Sequence, residues 1–247
     1  MQSLRTKLIL CWVVFAALLV TATNLIAFRT ALDAQFQQLR HTLTAVAATG
    51  ALSIDGDGHA QIPRDPSSRS LPAYRGLLER LRAIRQANPT IRYVYTLVPS
   101  ERPGTWLFIG DTDEQDPALP GEPYEVSRYP AMLAALQGPS ADSQLTTDAW
   151  GVFLSGYAPI RNRASHVVGV LGVDMAADQV ARTQAALRQW RIAVLVIGLL
   201  TVFVLGLFIA HWVTRPLQRL VRATRSIGQG DFEHRVPIHS HDETGLL

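Results

Sequence analysis

Two long runs without a charged residue constrain this chain more than any other feature. The first covers 8–28, 21 residues between Lys7 and Arg29, and the second covers 192–214, 23 residues between Arg191 and Arg215. At about 1.5 Å per residue, a helix over either run is longer than the ~30 Å hydrocarbon thickness of a bilayer. Between them lie 163 residues of ordinary globular composition, and 33 follow the second. A soluble fold therefore has to form from 29–191 while tethered at both ends. The expected order is a short segment (1–7), a first span (8–28), a folded domain (29–191), a second span (192–214) and a tail (215–247), the layout of a transmembrane receptor.

The charges orient it. Arg5 and Lys7 precede the first span, and Arg215, Arg219, Arg222, Arg225 and Arg235 follow the second. Set against Asp231, Glu233, Asp242 and Glu243, the flanks carry a net charge of +3, whereas the middle balances 16 arginines with 16 acids. Basic residues near span ends favour the cytoplasm, and long loops cross whatever their charge. Both termini are thus expected inside and the middle domain outside. The basic pI of 9.3 is juxtamembrane bias. No basic cluster interleaved with aromatics suggests nucleic acid. A cleaved leader ending near Thr21-Ala22-Thr23 is the alternative reading of the first run, but Leu25, Ile26, Ala27 and Phe28 prolong it past such a site. The single cysteine, Cys11, sits within that run, so the outer domain has no disulfide, and at its size it needs none.

Within the outer domain the periodicity reads helix first, then strand. Leu25, Phe28, Leu32, Phe36, Leu39, Leu43 and Val46 recur every three or four residues and continue one stripe out of the membrane. Such a stripe needs covering, and a second copy of the chain is the expected cover. Asp55-Gly56-Asp57-Gly58 reads as a hairpin turn and 63–70 as a linker. Ser70 and Pro72 open a second helix that Asn88-Pro89 stops. Five β-rich runs follow, at 91–98, 105–110, 143–151, 153–160 and 167–175, with a short helix at 130–137. Hairpin-like connections predict an antiparallel sheet, and a helix leaves it for the second span. The fold class is α+β.

This order, with Ile91-Arg-Tyr-Val-Tyr-Thr96, Leu154-Ser-Gly-Tyr-Ala-Pro-Ile160 and Val168-Gly-Val-Leu-Gly-Val-Asp174-Met175, resembles the extracellular PAS-like (Cache) sensor domains of bacterial receptors over about residues 40–176. The tail resembles a HAMP domain. Pro216 follows the span, and Leu217, Leu220, Thr224 and Ile227 occupy heptad a and d places. Gly230-Asp231-Phe232 and Asp242-Glu243-Thr244-Gly245-Leu246 then match its connector and second-helix entry. The sequence stops at Leu247, where that second helix should begin, so it reads as a truncated HAMP without an output module. A parallel homodimer in the bacterial inner membrane is implied, because a narrow apolar seam cannot be buried by one helix alone. The alternative for the tail is a basic amphipathic helix lying on the inner leaflet.

Catalytic readings find little support. Asp111, Asp113 and Glu122 take positions 1, 3 and 12 of a calcium loop, but Asp116 stands where the turn needs glycine. Ser155, His166 and Asp174 lack a nucleophile elbow. His239 and His241 have no further ligand nearby, and Asp57 and His59 are expected in a solvated hairpin. No enzyme, metal or cofactor is expected. What the resemblance implies instead is a small-molecule pocket. Asp174, ending the last strand, takes the place where related receptors hold a ligand ammonium. Asp148, Trp150, Tyr157, Arg128 and Tyr129 match ligand-contact places, and Tyr95 and Trp106 lie on neighbouring strands. A carboxylate among aromatic rings suits a cationic or zwitterionic solute.

Overall fold

The computed structural model describes the backbone of residues 4–148 and 150–228, and side chains over 10–148, 150–181, 185 and 189–209. The chain divides into two compact units, Met1–Arg29 with Arg188–Leu247, and Thr30–Leu187.

The described residues of the first unit form two apolar helical stretches, parts of α1 (Leu4–Leu52) and α5 (Ala177–Gly228). Both are long and apolar enough to cross a membrane, and neither is buried in protein. Asn24 donates its side-chain N–H to the carbonyl of Arg191 at 3.5 Å, and the Arg191 guanidinium lies 4.6 Å from the Phe28 ring centroid. The heptad residues Leu217, Leu220, Thr224 and Ile227 fall on the helical backbone of α5, but their side chains lie outside the described residues, as do His239 and His241 entirely.

The second unit is built on one antiparallel sheet. Its strands are β1 (Tyr93–Pro99), β2 (Thr105–Asp111), β3 (Pro123–Glu125), β4 (Ser140–Ala141), β5 (Thr146–Asp148), β6 (Gly151–Arg161) and β7 (Val167–Ala176). The order is β3-β2-β1-β7-β6-β4, with β5 also paired to β6. Five of these correspond to the expected runs. The other two, β3 and β4, span three and two residues, too short to leave a periodic trace.

Alternation along the strands sorts side chains onto two faces. On one face Val94, Leu154, Ala158, Leu171, Val173 and Met175 form a core with Leu43 and Ala47 of α1 and with Leu77 and Leu81 of α3 (Pro72–Ala87). On the other, Tyr95, Leu97, Phe108, Tyr157 and Val170 form a second core with Met132 and Ala135, the latter pair contributed by α4 (Pro130–Ala134) and the turn after it. The outer part of the apolar stripe is thereby accounted for. Leu43 is fully buried, and Phe36, Leu39 and Val46 pack against the same core. This stretch of α1 is covered by its own sheet, where a partner chain was expected.

The approach of α1 to the sheet is close. A Cβ placed on Gly156 would stand 2.7 Å from the main-chain carbon and oxygen of Leu43. Gly156→Val is therefore expected to destabilise the domain by about 3 kcal/mol, the upper end of overpacking costs. Urea unfolding followed by tryptophan fluorescence measures it, and a variant as stable as the parent would show that α1 is not seated on β6. Arg40 adds a polar tie, with Nε donating to the Asp142 carbonyl at 2.7 Å and Nη2 to the Ala141 carbonyl at 3.1 Å.

The 55–58 segment departs from the expected hairpin. Gly56–Ala60 is a short helix, α2, capped by Asp55, whose carboxylate accepts the Asp57 N–H at 3.2 Å. The expected linker contains a 3-10 helix, Pro66–Ser70, capped in the same way by Asp65. His59, expected in solvent, is 3% exposed, and neither ring nitrogen has a hydrogen-bond partner. Burial, helped by Arg64, lowers its pKa to about 4, so the imidazole is neutral.

Candidate functional site

The second face of the sheet carries a cavity where β7, β1 and β2 converge with the β5–β6 turn. Its walls are the rings of Tyr93, Tyr95, Phe108, Tyr124 and Trp150, together with the carboxylates of Asp111, Asp113, Asp148 and Asp174. None of these lining residues is Lys, Arg or His. The free space is about 20 Å³, only slightly more than the ~10–15 Å³ that holds one water. Admitting a solute of several heavy atoms therefore requires the rings to move.

The aromatic walls are mutually supported. Phe108 meets Tyr95, Tyr124 and Trp150 edge-on at centroid distances of 5.7, 5.5 and 5.7 Å. Tyr129 stacks on Tyr124 at 5.6 Å. Tyr95 sits opposite Gly172 in the β1–β7 register, and a Cβ on Gly172 would come within 2.4 Å of the Tyr95 ring. Glycine there lets the ring lie across β7, where its hydroxyl donates to Asp174 Oδ1 at 3.1 Å.

The four carboxylates do different work. Asp111 accepts the N–H of Asp113 at 3.0 Å and of Ala118 at 2.9 Å, and Asp113 accepts the N–H of Gln115 at 2.9 Å. These bonds fold the loop after β2, so the acids that mimic a calcium loop serve backbone amides. Asp148 accepts the N–H groups of Trp150 and Gly151 at 2.9 and 3.1 Å and the Tyr124 hydroxyl at 3.1 Å, which closes the β5–β6 turn. Asp174 differs, because the donor that meets its carboxylate is a side-chain hydroxyl, that of Tyr95, and Ser155 stands opposite it on β6. It is 6% exposed, and burial raises its pKa to about 8. Burial likewise keeps the Tyr95 hydroxyl protonated, as a donor requires.

Of the residues singled out from sequence, Asp174, Asp148, Trp150 and Tyr95 line this one cavity. Tyr157 is buried beside it, and its hydroxyl reaches Asp142 Oδ2 at 3.4 Å. Trp106 belongs to the core of the same face. Tyr129 supports Tyr124 from behind, and Arg128 is exposed and lines nothing here. His166 lies in the β6–β7 turn, eight residues before Asp174 of the Ser155–Asp174 pair, about 26 Å at strand rise. That separation removes the triad.

Sequence reasoning missed Tyr93, Phe108 and Tyr124 in the walls, and Asp142 beneath them. Asp142 is 3% exposed and accepts from Thr146, the Ser155 N–H and Tyr157. Desolvation raises its pKa to about 6, against the pull of those bonds. Tyr124 reaches the site through the β2–β3 pairing, in which it faces Trp106.

Beyond this domain, residues 208–247 match the HAMP domain family. The chain carries a HAMP segment. A folded domain held between two apolar helices, with HAMP sequence after the second, is the arrangement of a transmembrane sensor. The chain is also 41% identical over 54 residues to the methyl-accepting chemotaxis protein McpB of Bacillus subtilis, a match covering 22% of this chain and 8% of that protein. Among solved structures, the ligand-binding domain of the Campylobacter jejuni chemoreceptor Tlp3 in complex with L-valine aligns with a TM-score of 0.43 at 15% identity. That alignment covers 73% of this chain and 66% of that one. The E. coli DcuS sensor domain aligns with a TM-score of 0.39 at 17% identity, covering 65% of this chain and 98% of that one.

Proposed function

We propose that this HAMP-bearing chain is a bacterial inner-membrane receptor that binds a small cationic or zwitterionic solute outside the cell and passes a helix displacement inward. The observation that carries this reading is the position of Asp174. It lines the cavity and stands three residues before Ala177, the first residue of α5, which continues as one helix to Gly228. A solute drawn to Asp174 acts on the root of the helix that contains the second span and leads into the HAMP segment. An anchored enzyme would need a convergent nucleophile and base, and among the described residues the cavity offers acids and rings alone. Thermal-shift screening of the full chain in detergent against small metabolites tests the reading. A ligand at 100 times its dissociation constant adds about 2.7 kcal/mol, and a screen in which no solute moves the midpoint would sink it.

Orientation follows from the flanking charges. A reporter fused after Gly104 should register the periplasm and one after Leu247 the cytoplasm, and a cytoplasmic signal at Gly104 would reverse the assignment. Assembly rests on the seam of Leu217, Leu220, Thr224 and Ile227, since the outer stripe of α1 is covered within its own domain. Cysteine introduced at Leu220 should cross-link to its copy under mild oxidation several-fold faster than cysteine at Arg222. Equal rates at the two positions would argue against a parallel pair.

A further inference from the structure

We propose that the cavity selects an organic ammonium ion that carries no carboxylate, seated with its charge toward Asp174 and its alkyl groups against the Tyr93, Tyr124 and Trp150 rings. This rests on the reading of the domain as a solute sensor and narrows it from cations and zwitterions to amines alone.

Two features of the walls make the distinction. Tyrosine and tryptophan faces attract ammonium and alkylammonium groups through the ring quadrupole, and enclosure from several sides strengthens the effect. A zwitterion would bring the same ammonium, but its carboxylate needs a cation or a set of free N–H donors. Among the described residues the cavity supplies neither. Arg85, Arg92 and Arg128 do not line it. The Arg92 guanidinium lies 5.3 Å from the centroid of the Tyr93 ring and donates Nε to its hydroxyl at 3.1 Å. Arg85 is bound to the Thr112 carbonyl at 2.6 Å and to the Glu114 carboxylate, and Arg128 is exposed and is not among the lining residues. The backbone N–H groups nearest the acids already serve Asp111, Asp113 and Asp148. With Asp174 ionised above about pH 8, a ligand carboxylate would thus face four aspartates without a compensating donor, and Asp142 adds a fifth acid.

Matched pairs separate the two ligand classes. Isothermal titration of the full chain in lipid nanodiscs at pH 9, where Asp174 is ionised, would compare choline with glycine betaine, which share a trimethylammonium group and differ in the carboxylate. Phenethylamine and phenylalanine form a second pair with a primary amine. The amine of at least one pair is expected to bind at least tenfold more tightly than its carboxylate partner. The uncharged carbon isostere of choline, 3,3-dimethylbutan-1-ol, is expected to lose at least tenfold against choline. A carboxylate partner that binds as well as its amine, or an isostere equal to choline, would overturn the proposal and leave the sensor reading standing. Silence of both amines at millimolar concentration would also overturn it. In that case a neutral or anionic metabolite active in the thermal-shift screen would preserve the sensor, and silence there too would end both readings.

Discussion

Asp174→Asn is expected to weaken binding of a cationic solute by about 1.5–3 kcal/mol, roughly 10- to 100-fold, the range for a hydrogen bond to a charged group. Asparagine preserves the shape of the side chain and an oxygen that can accept from Tyr95, so at pH 9, where the folded Asp174 carboxyl is ionised, what is removed is the charge. The alternative role for Asp174, capping the helix that leaves the domain, predicts no such loss, because asparagine caps as well as aspartate. The structure sets these roles apart, since the carboxylate meets Tyr95 within the cavity and α5 begins three residues later. Titration calorimetry with the best ligand from the screen decides the matter. Unchanged affinity in Asp174→Asn would remove the charge argument altogether.

The second large effect is on stability against pH. Asp174 holds its proton in the folded protein up to about pH 8, whereas an unfolded aspartate releases it near 3.9. Between those values the folded state binds more protons than the unfolded one, so stability must fall as pH rises through this window. Each tenfold difference in acid constant is worth about 1.4 kcal/mol, which puts the full penalty on the order of 5 kcal/mol. Asp142 works in the same direction, over the narrower span up to about pH 6. His59 works the other way. Its folded-state pKa of about 4 means that the unfolded chain binds the extra proton, and stability falls as pH drops from about 6.5 toward 4. Between pH 6.5 and 8 Asp174 therefore acts without opposition from His59. Asp174→Asn should flatten the decline there and raise the urea midpoint at pH 8. Parallel pH profiles for parent and variant would show that the carboxylate is not desolvated. By linkage, a cationic ligand that binds the ionised form should bind more tightly as pH rises through 8.

Much of the sheet was legible because its strands advertise their period. Residues 153–160 and 167–175 became β6 and β7 almost to the residue, and the register between them puts Ser155 opposite Asp174. What could not be read was which apolar face meets which. The stripe through Phe36, Leu43 and Val46 shows that something must cover α1, but periodicity is the same whether the cover is a partner chain or the chain's own sheet. The Asp55–Gly58 segment misled for a related reason. Asp-Gly pairs satisfy a tight turn and a helix start equally well, and the burial of His59 beneath the sheet decides between them through contacts distant in sequence. Half of the cavity was missed similarly. Tyr124 lies on a three-residue strand, and only the β2–β3 pairing carries it next to Phe108.

The division of labour among the pocket acids sets how this receptor can change its taste. Asp111, Asp113 and Asp148 hold backbone amides in place, so exchanging any of them risks unravelling the loop it fastens. Asp174 fastens no loop. A descendant that needed a neutral or anionic stimulus could rewrite that one codon and keep the rest of the cage, and variation among close relatives should accordingly concentrate at position 174 while the three neighbouring acids stay fixed.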